Sequence, residues 1–254
     1  GESGMNLFLP PGWMTFNELS PRSVDSPQEK GKAYLRFALF DNEEVGSATN
    51  QGAGATFLKN TLTRISRSLG YSYDETQAMI ARSFMISADN GHALHPNHGE
   101  YADPVNAPRL NGGIVIKFNA QQKYATDGFS AAFFRDLCRR AKVPTQTFTN
   151  RSDIPGGSTL GNISNTKVSI PTVDIGLPQL AMHSSYETAG TKDTAYMVMA
   201  APHFLNKLYY LFTVNKNRHR YEIVFPQCLF LLTTLPLHPV PSHKVLCQSG
   251  RFRQ

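Results

Sequence analysis

Apolar and polar positions change rhythm several times along the chain. Residues 1–29 are rich in proline, serine and glycine ("PPGW", "SPRSVDSP") and predict irregular backbone. From Lys32 the pattern shifts: "AYLRFALF" is a short, mostly apolar run bounded by turn chemistry, as expected of a strand buried on both faces. Phe57, Leu58, Leu62, Ile65 and Leu69 then recur at three- and four-residue steps, which predicts a helix ending at Gly70. Asp74 with Gln77 forms a capping-box pattern ahead of "AMIARSF" and predicts a second, short helix. "FMISAD" and "GGIVIKF" read as buried strands. Phe133, Phe134, Leu137, Cys138 and Ala141 mark a helix between "TDGFS" and the break at Pro144. "TQTFT" and "VSIPTVDIGL" are further strands, with Pro171 confining part of the latter to an edge or bulge. "SSYETAGTKDTAYMVMA" predicts a helix capped at Ser184 or Ser185 and running to about Ala200. From Pro202 onward aromatics, prolines and basic residues mix without sustained periodicity.

Strands alternating with helices imply an α/β layered sheet, without internal repeats. The changes of pattern divide the chain into an irregular segment 1–29, a body 30–200 and a basic, aromatic tail 201–254.

Composition narrows the class. Hydrophobic residues at 41% and charged residues at 17% fit a soluble globular protein, and no apolar run reaches the roughly 20 residues that cross a bilayer. The opening "GESGMNLFLPPGW" lacks the basic start of an export signal, so the expected setting is cytoplasmic, with no membrane association. Cys138, Cys228 and Cys247 are too widely and irregularly spaced for a disulfide framework or a cysteine zinc site. The net charge of +6 resides in the tail, where seven Lys or Arg face only Glu222; the first two hundred residues are neutral, and nucleic acid is not an expected partner.

In open α/β sheets, ligands gather beyond the carboxyl ends of strands. Glu43 and Glu44 follow "FALF", Asp89 follows "FMIS", and His183 follows "PQLAM". Neighbours in extended backbone point to opposite sides, so Glu43 and Glu44 are expected to divide labour, one holding a metal and the other taking a proton from water. The plainer readings are a solvated loop for the Glu pair, a turn or cap for Asp89, and a core histidine for His183. In "DNGHALHPNHGE", His92, His95 and His98 lack the spacing of a helical zinc motif, and His95 and His98 read as surface-loop histidines. "QGAGATF" lacks the phosphate-loop lysine, "SDIPGGSTLGN" can bind an anion or simply turn the chain, and no G-x-S-x-G elbow is present for a serine hydrolase.

Taken in order, "FDNEEVGS", "SFMISADNGHALHPNH", "GGIVIKFNAQQKY", "NRSDIPGGSTLGN" and "DIGLPQLAMHSSYE" resemble the consecutive signature segments of the aspartyl aminopeptidase family, dinuclear zinc exopeptidases. The resemblance runs from roughly Lys30 to Ala200. It implies a three-layer α/β/α zinc-exopeptidase-like domain, N-terminally truncated and without the family's inserted second domain. It implies that Glu43 is the general base, that Glu44 and His183 are ligands of one zinc and Asp89 of the other, and that His92, Lys117 and Tyr124 contact substrate. Lys117 would supply positive charge for an acidic substrate side chain; its plainer reading is a strand lysine reaching out to water. The family's upstream zinc histidine and bridging aspartate have no counterpart here: no histidine precedes His92, and Asp25 sits in a proline-flanked setting. The resemblance therefore implies removal of N-terminal acidic residues from peptides, two zinc ions with an incomplete ligand set, homo-oligomers in the family, and little activity for the isolated chain. The alternative is a noncatalytic remnant of the fold that acts as an assembly or binding partner.

Overall fold

The computed structural model describes Ala38 and residues 40–213, the side chains of 202 and 205–213 excepted. The N-terminal segment, most of the strand expected over residues 33–40, and the tail beyond 213 lie outside the described residues.

Among the described residues, seven strands and five helices follow in the order α1 (Phe57–Ser68), α2 (Tyr73–Ala81), β1 (Met85–Ala88), β2 (Gly91–His92), β3 (Ile114–Phe118), α3 (Gly128–Arg140), β4 (Thr145–Thr149), α4 (Leu160–Asn165), β5 (Thr172–Gly176), β6 (Pro178–Leu180), β7 (Thr188–Ala189) and α5 (Thr191–Thr213). Two single-turn 3-10 segments, Glu43–Val45 and Gly99–Tyr101, lie among them. The main sheet has the order β1-β5-β3-β4, parallel except between β3 and β5, and a small second sheet has the order β2-β6-β7.

Strand periodicity decides which side chain faces which layer. Ile86 of β1, Ile114 and Ile116 of β3, and Val173 and Ile175 of β5 form one buried face, covered by Phe134 and Leu137 of α3 and by Met197, Ala200 and Phe204 of α5. Met85 opens the other face toward Leu58 and Leu62 of α1, Met79 and Ile80 of α2, and Leu160 of α4. Helices on both faces make the expected α/β/α layering, and each large apolar side chain so buried contributes roughly 1.5–3 kcal/mol. Among the described residues no helix is long and apolar enough to cross a membrane.

Three local expectations are corrected. The cap of α2 is Ser72, whose hydroxyl accepts from Glu75 N–H while the Glu75 carboxylate accepts from Ser72 N–H, so the capping box stands two residues ahead of the Asp74–Gln77 pair. Pro171 does not push β5 to an edge. It sits just before the strand, gives its carbonyl to Met85 N–H at 2.8 Å, and leaves β5 central in the sheet. The last helix starts at Thr191 rather than near Ser184, because Thr188 and Ala189 pair with β6. The buried Asp193 then ties its first turn to the loop before β3, accepting from Asn111 N–H at 2.6 Å and Gly113 N–H at 2.8 Å.

Candidate metal centre and active site

Glu43 and Glu44 lie in a loop flanked on both sides by left-handed backbone. Asn42 (φ 58°), Gly46 (φ 92°) and Ser47 (φ 60°) all take positive φ. Asparagine is several-fold enriched in that region, whereas a serine there needs support from its surroundings. Ser47 is buried, its N–H donates to the Asn42 carbonyl at 2.9 Å, and its own carbonyl accepts from Gly54 N–H at 3.0 Å. Thr49 Oγ1 donates to Asn42 Oδ1 at 2.7 Å. Gly52 lies so close to the Ser47 carbonyl that any Cβ would overlap it, which explains a glycine in "QGAGATF" without a phosphate ligand.

This loop corrects the expected geometry of the Glu pair. Glu43–Val45 is a 3-10 turn, not extended chain, so adjacent side chains need not point to opposite sides. His183 arrives from the turn after β6, itself left-handed at Ala181 (φ 53°) and His183 (φ 65°). Its N–H donates to Glu187 Oε1 at 2.7 Å, and its Nδ1 meets Glu44 Oε2 in a short hydrogen bond. One ligand atom each from Glu43, Glu44 and His183 lies within 4.8 Å of the others. Two carboxylates and an imidazole converging in this way are a donor set suited to zinc.

Electrostatics mark the same place. Glu43 is pushed up to about 7, first by burial and then by the carboxylates of Asp89 and Glu44, against the pull of His183 and Lys117. The hydrogen bond to Glu44 holds His183 above the usual histidine range.

Asp89 and Lys117 stand on the sheet beside this cluster. Asp89, at the end of β1, is 13% exposed and does not join the three clustered donors, although its charge is felt at Glu43. Its Oδ2 lies 3.7 Å from Lys117 Nζ. Lys117 is only 2% exposed, so it does not reach out to water; its ammonium donates to the Asn90 carbonyl at 2.7 Å and sits 5.6 Å from the centroid of the Tyr124 ring. Tyr124 is buried against Phe148, and burial pushes its hydroxyl up to about 12. His92, at the end of β2 and partly open to solvent, is held below its usual range by the protein around it, then by Lys117 and His183. All seven sequence-predicted residues thus fall in one region, three of them as a tight donor cluster.

His95 and His98 lie apart from that cluster, their rings 5.1 Å from each other and His98 paired with Glu100 at 3.1 Å. Among the described residues they form no donor group. Sequence reasoning passed over two residues that shape the site. Glu187 follows His183 by four positions, the spacing that lets a turn's acid reach back to an earlier N–H. Asp174 is a lone carboxylate inside the apolar run "TVDIG", and such a residue signals a buried polar function.

A sequence model of the family described as aminopeptidase I zinc metalloprotease (M18) matches residues 22–205. The probable M18 family aminopeptidase 2 of Clostridium acetobutylicum is 50% identical over 169 residues, covering 66% of this chain and 39% of that protein. The probable aspartyl aminopeptidase of Ricinus communis is 41% identical over 172 residues, covering 68% and 35%. The solved S. cerevisiae mApe1 dodecamer is similar in fold, with a TM-score of 0.59, 30% identity and coverage of 69% of this chain and 39% of that one. This chain therefore spans well under half the length of the curated relatives it matches. Since the family match extends over most of its residues, the chain belongs to the M18 family of aminopeptidase I zinc metalloproteases.

Proposed function

We propose that this chain carries the general base and a cation-binding corner of an aminopeptidase site acting on peptides with an acidic N-terminal residue. The observation that carries this is the convergence of Glu43, Glu44 and His183, from segments 139 residues apart, on one point. Glu44 and His183 would hold a zinc ion, which would supply a Lewis acid for the peptide carbonyl and for water. Asp89 is assigned to a second zinc, with the Lys117 ammonium beside it.

Glu43 does the proton work. Half-buried and flanked by two further carboxylates, it is poised near neutrality, where a carboxylate accepts a proton from water and returns it to the leaving amine. His92, Lys117 and Tyr124 form the substrate wall. Lys117 is a buried cation whose field favours an acidic side chain, and the name of the Ricinus relative supports that preference. The dodecameric relative supports homo-oligomeric assembly.

The test is metal content by mass spectrometry, followed by hydrolysis of an N-terminal aspartyl peptide by wild type and Glu43→Gln. Because the described donors gather around a single point and Glu43 serves as base, about one weakly held zinc per chain and slow hydrolysis are expected. Glu43→Gln should keep the zinc and lose the residual hydrolysis. A chain that holds no zinc would favour the alternative, a noncatalytic remnant of the fold that serves as a binding partner. Hydrolysis unaffected by Glu43→Gln would remove the base from this assignment.

A further inference from the structure

Asp174 is 1% exposed and has no part in the chemistry above. It stands on β5, level with Ser87 of β1 and one step beyond the Ile116–Ile175 pair that joins β5 to β3, which places it across from Lys117. The three side chains therefore run as a polar stripe over the face of the sheet opposite its isoleucines.

Three hydrogen bonds link this one residue to the segment carrying Tyr124. Asp174 Oδ2 accepts from Ala125 N–H at 2.5 Å. Asp174 N–H donates to Thr126 Oγ1 at 2.8 Å, and that hydroxyl lies 3.4 Å from the Asp174 carbonyl. Asp127 follows at once and caps α3 through a capping box with Ser130. The segment from 119 to 127 is thus pinned at its far end by the helix and at its middle by Asp174. The other carboxylate oxygen, Oδ1, lies near the hydroxyls of Ser87 and Thr159, but none of these three atoms has a hydrogen-bond partner among the described residues. Gly161 lies directly over it, where any Cβ would crowd both Asp174 Oδ1 and Ser87.

We infer that Asp174 is a positioning residue: its buried carboxylate clamps residues 124–126 to the sheet and so sets the Tyr124 ring against Lys117 in the wall that receives the substrate side chain. The inference rests on the proposed function for the substrate itself, but the clamp is independent of it. A carboxylate this deeply buried is costly unless its oxygens are paired. Oδ2 is paired with the Ala125 amide, whereas Oδ1 stands beside the Ser87 and Thr159 hydroxyls without a formed hydrogen bond, so the tie made by Oδ2 is what the buried acid supplies. The lone acid in an otherwise apolar strand is therefore explained by what it holds.

The test uses the whole chain with zinc added, comparing wild type, Asp174→Ala and Asp174→Asn. Hydrogen exchange followed by mass spectrometry reads residues 121–127 against the core strands. Asp174→Ala should speed exchange in that segment by about tenfold or more, with less than threefold change in β3 and β5. Asp174→Asn keeps one oxygen for the Ala125 amide and should stay within about threefold of wild type. Binding of free L-aspartate should weaken about tenfold in Asp174→Ala while zinc content is unchanged. If wild type binds no aspartate, the substrate assignment falls, and the exchange comparison alone judges the clamp. Should Asp174→Ala fail to fold, Thr126→Val cuts the second tie and is expected to loosen the same segment about threefold. Exchange that is unchanged in the segment, or that rises equally across the whole sheet, overturns the inference.

Discussion

Two polar clusters lie side by side in this molecule, and they are built in opposite ways. Glu43, Glu44 and His183 sit on turns, the two glutamates in a 3-10 segment flanked by left-handed residues and His183 itself left-handed, all exposed or half-exposed, with like charges crowded together. Ser87, Asp174 and Lys117 sit on strands, fully buried, each fixed by the register of the sheet. The second cluster is largely paired: Lys117 has Asn90 and Asp89, and Asp174 Oδ2 has the Ala125 amide, with only Oδ1 and the Ser87 hydroxyl beside it left without a hydrogen bond among the described residues. The first is not, since a carboxylate pair faces a single imidazole. A site that leaves negative charge uncompensated is stabilised by a cation, whereas a compensated one serves as a rigid wall.

The sharpest way to break this contrast is to remove a donor from the exposed cluster. His183→Ala should weaken zinc binding by more than about 100-fold, beyond what loss of an outer partner costs. It should leave the melting temperature of the zinc-free protein nearly unchanged, because the imidazole is exposed and belongs to no core. Calorimetric titration of zinc, paired with a thermal melt, checks both halves. Equal zinc affinity in the variant would move the metal away from this turn.

The opposite substitution probes the sheet. Phe134 is 0% exposed and packs under β3 and β5 with Phe204, their ring centroids 5.1 Å apart. Phe134→Ala should cost about 3–5 kcal/mol in denaturant unfolding. At temperatures where the variant is still folded, zinc affinity should change less than in any loop variant. If zinc affinity fell in step with stability, the turns would be shown to lean on the core more heavily than their hydrogen bonds suggest.

How legible these two regions were follows from the same contrast. Continuous apolar runs such as "GGIVIKF" and the three- and four-residue steps of Phe57 to Leu69 are written by burial, so β3 and α1 were readable from the sequence alone. The geometry at Glu43 and Glu44 was not, because extended backbone was assumed where Asn42 turns the chain left-handed into a 3-10 segment. The start of α5 was missed because the pairing of β7 with β6 and the distant Asn111 and Gly113 amides decide it, and neither is local. Family resemblance named the site residues, but only coordinates reveal that Asp89 lies outside the tight donor cluster and that Lys117 is buried.

A finer cut tests whether the turns are positioned by hydrogen bonds. Glu187 accepts from the His183 N–H and so supports a left-handed residue that has no glycine's freedom. Glu187→Ala should lower zinc affinity about 10- to 100-fold, the range typical of outer partners. Glu187→Gln keeps the accepting oxygen and should recover most of it. If the two variants behave alike, the carboxylate acts through its charge rather than through the backbone bond.

The smallest expected effect concerns pH and the buried Asp174. Burial raises the Asp174 carboxyl above its ordinary 3.8, against Ser87, the Ala125 amide, Lys117 and Thr159, which pull it down. A carboxyl raised on folding holds its proton more tightly in the native state than in the unfolded chain. Its contribution to stability is therefore complete below about pH 4 and is lost as pH climbs toward the raised native value. Asp174→Asn cannot titrate and removes that dependence. The difference in unfolding free energy, wild type minus Asp174→Asn, should thus fall as pH rises from 4 toward neutrality, a trend read from denaturant midpoints at a series of pH values. A difference that instead grew with pH would mean that Lys117 and the amide stabilise a native carboxylate more than burial opposes it. Asp174 would then be the partner of a buried ion pair, and the wall would depend on charge rather than on packing.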